Sequence, residues 1–204
     1  MDDKPDGRGE GAATAGRAPR ADAQRNLDAL LQAAKAVFAT SGVDAPVREI
    51  AEQAGVGIGT VYRHFPQRAD LIAAVFRREI DACADAAPIL AAEHAPGEAL
   101  ARWMQRYAAF VATKRGLAAA LHSGDPAFEP LRGYFERRVR PALHTLLDAA
   151  AAAGEIRADV DSDELISAVA SLGASMHDNG AGQPQRMVAL LMDGLRYGAG
   201  AARS

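Results

Sequence analysis

Apolar residues recur every three to four positions along most of the chain, the signature of helices that each bury one face. Leu27, Leu30, Leu31, Ala34 and Phe38 mark a first helix from about Asp22, and Ser41-Gly42 supplies its stop. Asp44 and Pro46 open a second helix whose inward stripe is Ile50, Ala51 and Ala54. Gly55 can enter the left-handed conformation that ends a helix, Val56 plugs the turn, and Val61 and Phe65 give a third short helix its inward face. A small residue at 51, a turn glycine four later and a β-branched residue six beyond that build a helix-turn-helix within residues 46–69, because Ala51 allows close approach and Val61 packs back. Pro66 ends the third helix, and Leu71, Ile72, Val75, Phe76 and Ile80 predict a fourth, from near Arg68 to about Ala87, before Pro88.

Beyond Pro96-Gly97, Leu100, Trp103, Met104, Tyr107, Phe110 and Val111 trace a further helix, and residues 116–121 a short one. Residues 123–126, SGDP, make a turn. Phe128, Leu131, Tyr134, Phe135, Val139, Leu143, Leu146 and Leu147 then predict a long helix to Gly154, with a kink expected near Pro141. Two more helices, about Asp161 to Ala174 and Gln183 to Ala199, close the chain.

Composition agrees with this pattern. Of 204 residues 49% are hydrophobic, enough to build a core, and alanine and leucine outnumber β-branched and aromatic residues, so the fold class is all-α. The formal charge of −3 announces no nucleic acid, but residues 17–80 carry nine Lys/Arg against seven Asp/Glu and residues 81–204 twelve against fifteen, a weak asymmetry with the sign DNA binding needs. Residues 1–19, without apolar periodicity, read as a disordered tail; Arg17, Arg20 and Arg25 near its end are either a basic arm for a DNA backbone or a solvated charge run. Cys83 is the single cysteine, which excludes an internal disulfide and any multi-cysteine metal site. No apolar run approaches the ~20 residues that span a bilayer, and the charged start lacks a signal-peptide core, so no membrane partner and a cytoplasmic location are expected.

The third helix turns Thr60, Tyr62, Arg63 and His64 outward, hydrogen-bonding types suited to a major groove. The stretch REIAEQAGVGIGTVYRHFPQRADLIAAV, with REIA, AGV, GT before an apolar residue and Tyr, HF, and a basic residue ahead of an apolar helix, resembles the head of the TetR family of one-component transcriptional regulators. The resemblance covers roughly residues 20–82. It implies a three-helix DNA-binding head (20–82) linked by the fourth helix to a larger helical ligand-binding and dimerisation body (83–204). It also implies a homodimer with two heads in successive major grooves of a palindromic double-stranded DNA operator, most simply as a repressor released by a small apolar or aromatic effector. On this resemblance Arg48 contacts a base or backbone, Thr60, Tyr62 and His64 hold phosphates and the groove wall, and Arg68 binds backbone. The sequence departs from the family pattern at Gly57, where a Ser or Thr cap is usual. Ile58 and Gly59 also offer no side-chain hydrogen bond, leaving Ile58 a thymine methyl or a sugar to touch and base reading to Arg48, Arg63 and Thr60. The plainer readings stay open: Tyr62 and His64 as caps on a small core, Arg48 as an exposed charge, and Arg68 as a residue serving its own helix N-terminus.

In the body, Trp103, Met104, Tyr107, Phe110, His122, Phe128, Tyr134 and Met176 are candidates to line an effector pocket, with core packing the commoner use of such residues; His122 and His177 are ligand hydrogen-bonders or ordinary exposed histidines. By the resemblance, Leu165, Ile166, Val169 and Leu172 with Val188, Leu191, Met192 and Leu195 form a dimer interface, a purely internal core being the alternative. No HExxH, Walker, GxGxxG or GxSxG motif occurs, and the five histidines have no metal-ligand spacing, so catalysis, a cofactor and a metal are not expected. Asp159, Asp161, Asp163 and Glu164 are explained by acidity at a helix start. The second function class is a TetR-like architectural or nucleoid-associated factor without an inducer, distinguished by insensitivity of its DNA binding to any ligand.

Overall fold

The computed structural model describes residues 17–121, 123–175 and 183–197, with side chains for 22–111, 123–171 and 186–197. Helix α1, Arg17–Ser41, buries Leu30, Ala33, Ala34, Val37 and Phe38 along one stripe and stops at Gly42, whose φ of 78° needs no Cβ. It starts five residues before the point predicted, so Arg17, Arg20 and Arg25 stand on a helix rather than in a tail, and Arg25 pairs with Asp22 one turn away.

Helix α2 (Val47–Ala54) buries Ile50 and Ala51. Gly55, at φ 67°, donates to Glu52 O at 3.2 Å while Val56 N donates to Ala51 O at 3.0 Å, the paired bonds of a left-handed helix end, and Val56 packs onto the core. Helix α3 (Ile58–His64) follows with Gly57 as its N-cap and Val61 as its one buried residue, and α4 (Arg68–Glu93) begins where Gln67 N donates to Asp70 Oδ2 at 3.0 Å.

Helix α4 runs through Pro88 for five more residues instead of stopping at Ala87. The proline removes the bond to Ala84 O, but its ring lies on the exposed side while Cys83, Ala84, Ala86 and Ala87 are buried, and that packing outweighs the local penalty. Helix α5 (Pro96–Leu121) likewise absorbs Gly116, so the short separate helix predicted at 116–121 is its last part; a single interior glycine costs only about 1 kcal/mol. After a 3-10 turn at Pro126–Phe128, helices α6 (Glu129–Ala152), α7 (Ser162–Ser175) and α8 (Gln183–Arg196) complete the body, with Pro141 carried inside α6. All described elements are helical, as composition required.

In the head α1 packs on α2 and α4; in the body α4 packs on α5 and α6, and α5 on α7 and α8. One continuous apolar cluster runs from Leu30 in α1 to Leu195 in α8. The α7 start explains its acids: Asp161 Oδ1 accepts from Asp163 N (2.8 Å) and Glu164 N (2.9 Å), Asp163 pairs with Arg140 (2.9 Å) and Asp159 with Arg157 (2.5 Å). Among the described residues no helix is long and apolar enough to cross a membrane.

Candidate nucleic-acid interface

The α2–turn–α3 unit is held from beneath by Ile50, Ala51 and Val61, which frees the other face of α3. That face shows Ile58 (47% exposed) and Tyr62 (52% exposed), one turn apart, with Arg63 and His64 also exposed and Thr60 half-buried beside them. Six of the eight DNA-contact candidates (Ile58, Gly59, Thr60, Tyr62, Arg63 and His64) therefore lie on one short helix.

Two guanidiniums are already engaged. Arg63 Nε donates to Gly59 O (3.2 Å) and its NH2 to Thr60 Oγ1 (3.1 Å), folding it back along α3. Arg48 Nε donates to Glu52 Oε1 at 2.9 Å on the surface of α2. Exposed pairs of this kind are worth less than about 1 kcal/mol, so a phosphate can displace either.

Arg68 stands apart from the group. From the first turn of α4 it donates to Val43 O and, at 2.7 Å, to Ala45 O, tying the α1–α2 connection to α4. It neither joins the α3 face nor serves its own helix start. Replacing it by methionine keeps the aliphatic stem and removes both bonds, and is expected to lower the unfolding free energy by about 2 kcal/mol. Urea titration checks this: unchanged stability would show that the two bonds do not hold the α1–α2 connection.

Between α4 and the body helices the aromatic candidates form a packed stack. Trp103 lies parallel to Tyr107 (centroids 5.7 Å, 9°), Tyr107 is 6.0 Å from Phe110, and Phe110 meets Phe135 at 6.0 Å and Phe76 at 5.4 Å. Trp103 Nε1 donates to Cys83 O at 2.9 Å. Trp103, Met104, Tyr107, Phe110 and Phe128 are buried, so the described rings contact one another. His122, Met176 and His177 lie outside the described residues. Phe76 and Phe135, absent from the candidate list, complete the stack.

Tyr134 belongs to a different feature. Its hydroxyl donates to Asp81 Oδ1 (2.6 Å), Arg138 pairs with Asp81 (3.0 Å) and Asp85 (2.5 Å), and Arg77 sits 5.1 Å over the Tyr134 ring. The hydrogen bond to Asp81 raises the tyrosine's pKa, and the bonds to both aspartates raise that of Arg138. This cluster fastens α6 to α4. Lys35–Glu79 (2.7 Å) and Asp28–Arg78 (3.0 Å) fasten α1 to the same part of α4.

Burial pushes the Cys83 thiol from 9.0 up to about 12 and raises the Tyr107 phenol too. Both folded-state values lie above the ordinary ones, so this contribution to stability is intact below about pH 9 and is lost as pH rises towards 12, where the unfolded chain releases protons first. The urea midpoint is expected to fall between pH 9 and 11, and to fall less in Cys83→Ala; a flat profile would contradict the assignment.

The residues expected at the dimer interface pack inside the chain. Leu165, Ile166, Val169, Val188, Met192 and Leu195 are buried within the single chain, where α7 and α8 pack on α5, and Leu191 is half-buried against the same core. The side chain of Leu172 lies outside the described ones. That burial matches the internal-core alternative for the two stripes. Among the residues α8 turns outward are Leu190 (64% exposed) and Gly194, and Tyr197 (85% exposed) follows directly after its end.

A helix-turn-helix head carried on an all-helical body is the architecture of a DNA-binding regulator. Residues 30–75 match the family model of bacterial regulatory proteins of the tetR family, and residues 95–197 match the C-terminal domain of SbtR-like transcriptional regulators. A TetR transcriptional regulator from Streptomyces coelicolor has a similar structure, 41% identical, covering 83% of this chain and 97% of that one, with a TM-score of 0.73. A TetR regulatory protein from Mycobacterium vanbaalenii is 37% identical over 87% of this chain and 99% of its own, with a TM-score of 0.68. An HTH-type transcriptional regulator of Staphylococcus aureus is 36% identical over 63 residues, 30% of this chain and 34% of that protein's length.

The chain belongs to the TetR family. It is a transcriptional regulator with an N-terminal helix-turn-helix DNA-binding domain, as the resemblance of residues 20–82 implied.

Proposed function

We propose that the protein is a homodimeric repressor that binds a palindromic operator through α3 and is released by a small apolar or aromatic effector. The observation that carries the reading is the bonding of α4. Within two turns it is paired to the head through Arg78 and Glu79 and to the body through Asp81 and Asp85. A shift of α6 on α4 is therefore passed to α1, and with it to α3. The effector parts the stacked rings of Tyr107, Phe110 and Phe135 between α5 and α6, with Trp103 and Met104 as a floor. It favours a head separation that no longer matches two grooves ~34 Å apart. Coupling of ~1 to 3 kcal/mol suffices for such a switch.

The dimer forms through the outward face of α8 and the residue that follows it, with Leu190 and Tyr197 as anchors and Gly194 permitting close approach. Genomic footprinting of the purified protein is expected to return inverted repeats whose half-sites are centred about one helical turn, or a multiple of it, apart. Sites without dyad symmetry would overturn the dimeric reading, and binding insensitive to every compound of a broad apolar library would favour an architectural factor. Sedimentation of Leu190→Arg/Tyr197→Arg is expected to give a folded monomer; an intact dimer would place the interface elsewhere.

A further inference from the structure

The leading edge of α3 carries an exposed aliphatic side chain between two bare positions. Ile58 is flanked by Gly57 and Gly59, and a Cβ built on either glycine would meet nothing within 4 Å. Neither is in the left-handed region: Gly57 has φ −68° and Gly59 is helical. The fold therefore needs neither glycine, while Gly59 weakens a helix of seven residues relative to alanine. Backbone kept bare on the solvent side, at a cost to the chain itself, suits a surface that comes close from outside.

Two of the neighbouring hydrogen-bonding groups are engaged on the protein, Arg63 with Gly59 O and Thr60 Oγ1 and Arg48 with Glu52, while Tyr62 and His64 stay exposed further along the face. Ile58 opens the exposed face at the start of the helix, with Tyr62 one turn behind it. In a major groove the one aliphatic group on a base edge is the thymine 5-methyl. Exposed apolar side chains are common and carry little meaning singly; the cleared flanks and the position on the outward face of a helix-turn-helix give this one its direction.

We infer that Ile58, cleared by Gly57 and Gly59, determines specificity by seating on a thymine 5-methyl in each operator half-site. The inference rests on the reading of α3 as the operator-binding helix. The test uses the full-length protein and a duplex it selects from random-sequence DNA. Each thymine of the half-sites is replaced in turn by deoxyuridine, which removes only the methyl group. At one position per half-site the replacement is expected to weaken wild-type binding about four-fold, the scale of one buried methyl, and to leave Ile58→Ala unaffected. If no position loses its deoxyuridine effect in Ile58→Ala, the inference is overturned.

Gly59→Ala supplies a second readout in which two quantities move apart. Its melting temperature is expected to rise by about 2 °C while operator affinity falls about ten-fold, the loss of one good base contact. Unchanged affinity would overturn the close approach. A full-length protein that melts cooperatively yet selects no duplex would overturn the inference together with the reading it rests on, a result distinct from selection without thymine dependence.

Discussion

Trp103→Ala is expected to lower the unfolding free energy by about 4 kcal/mol, a large part of the roughly 5–15 kcal/mol that holds a domain of this kind together. Trp103 is fully buried in α5, stacks on Tyr107 and sends its one donor across to Cys83 O in α4. Truncation leaves a cavity where α4 and α5 meet, and the surrounding rings cannot close it without unstacking. Trp103→Phe restores most of the volume and loses only the hydrogen bond, about 1 kcal/mol. Because this is the chain's single tryptophan, unfolding has to be followed by far-UV circular dichroism rather than by indole fluorescence. Equal midpoints for wild type and Trp103→Ala would mean that the stack is not part of the stabilising core.

Val169→Arg is expected to abolish the cooperative transition at 25 °C. Val169 is 1% exposed inside a single chain, packed between α7 and the body core. A guanidinium there is forced into an apolar cluster, and an unpaired buried charge costs several kcal/mol. Leu190→Arg, one helix away and on the open side, is expected to keep a cooperative unfolding transition. The pair separates two uses of an apolar stripe that look identical in sequence. A soluble, cooperatively folding Val169→Arg protein would show that α7 is held less tightly than its burial indicates.

That ambiguity explains much of what sequence reading could and could not reach. Periodicity located every described helix because each has a single core face, and Gly42, Gly55 and Gly154 marked ends because their positive φ is a local requirement. Pro88 and Gly116 misplaced two ends, since a local penalty of one to a few kcal/mol is smaller than the packing of the helix around it. The face of α3 was legible for the same reason as its core. Periodicity says that Val169 and Met192 are covered but not by what, so the internal core and the partner chain that the resemblance implies look alike in sequence. Arg68 was read from its place at a helix start, whereas its bonding partners, the carbonyls of Val43 and Ala45, are set by tertiary folding. Tyr134 was separated from the effector set by Asp81, 53 residues away in sequence.

The uninterrupted α4 has a practical consequence for anyone building hybrid regulators. The head match ends at residue 75 and the body match begins at residue 95, so the conventional splice would fall inside Arg68–Glu93. A foreign body joined after Asp85 separates Asp81, Asp85 and the Ala82 carbonyl from the Arg138 and Arg106 that they bond in this chain. Grafts made at the short α4–α5 connection, with the Arg138 and Tyr134 positions carried over from this chain, keep α4 and its bonding partners together.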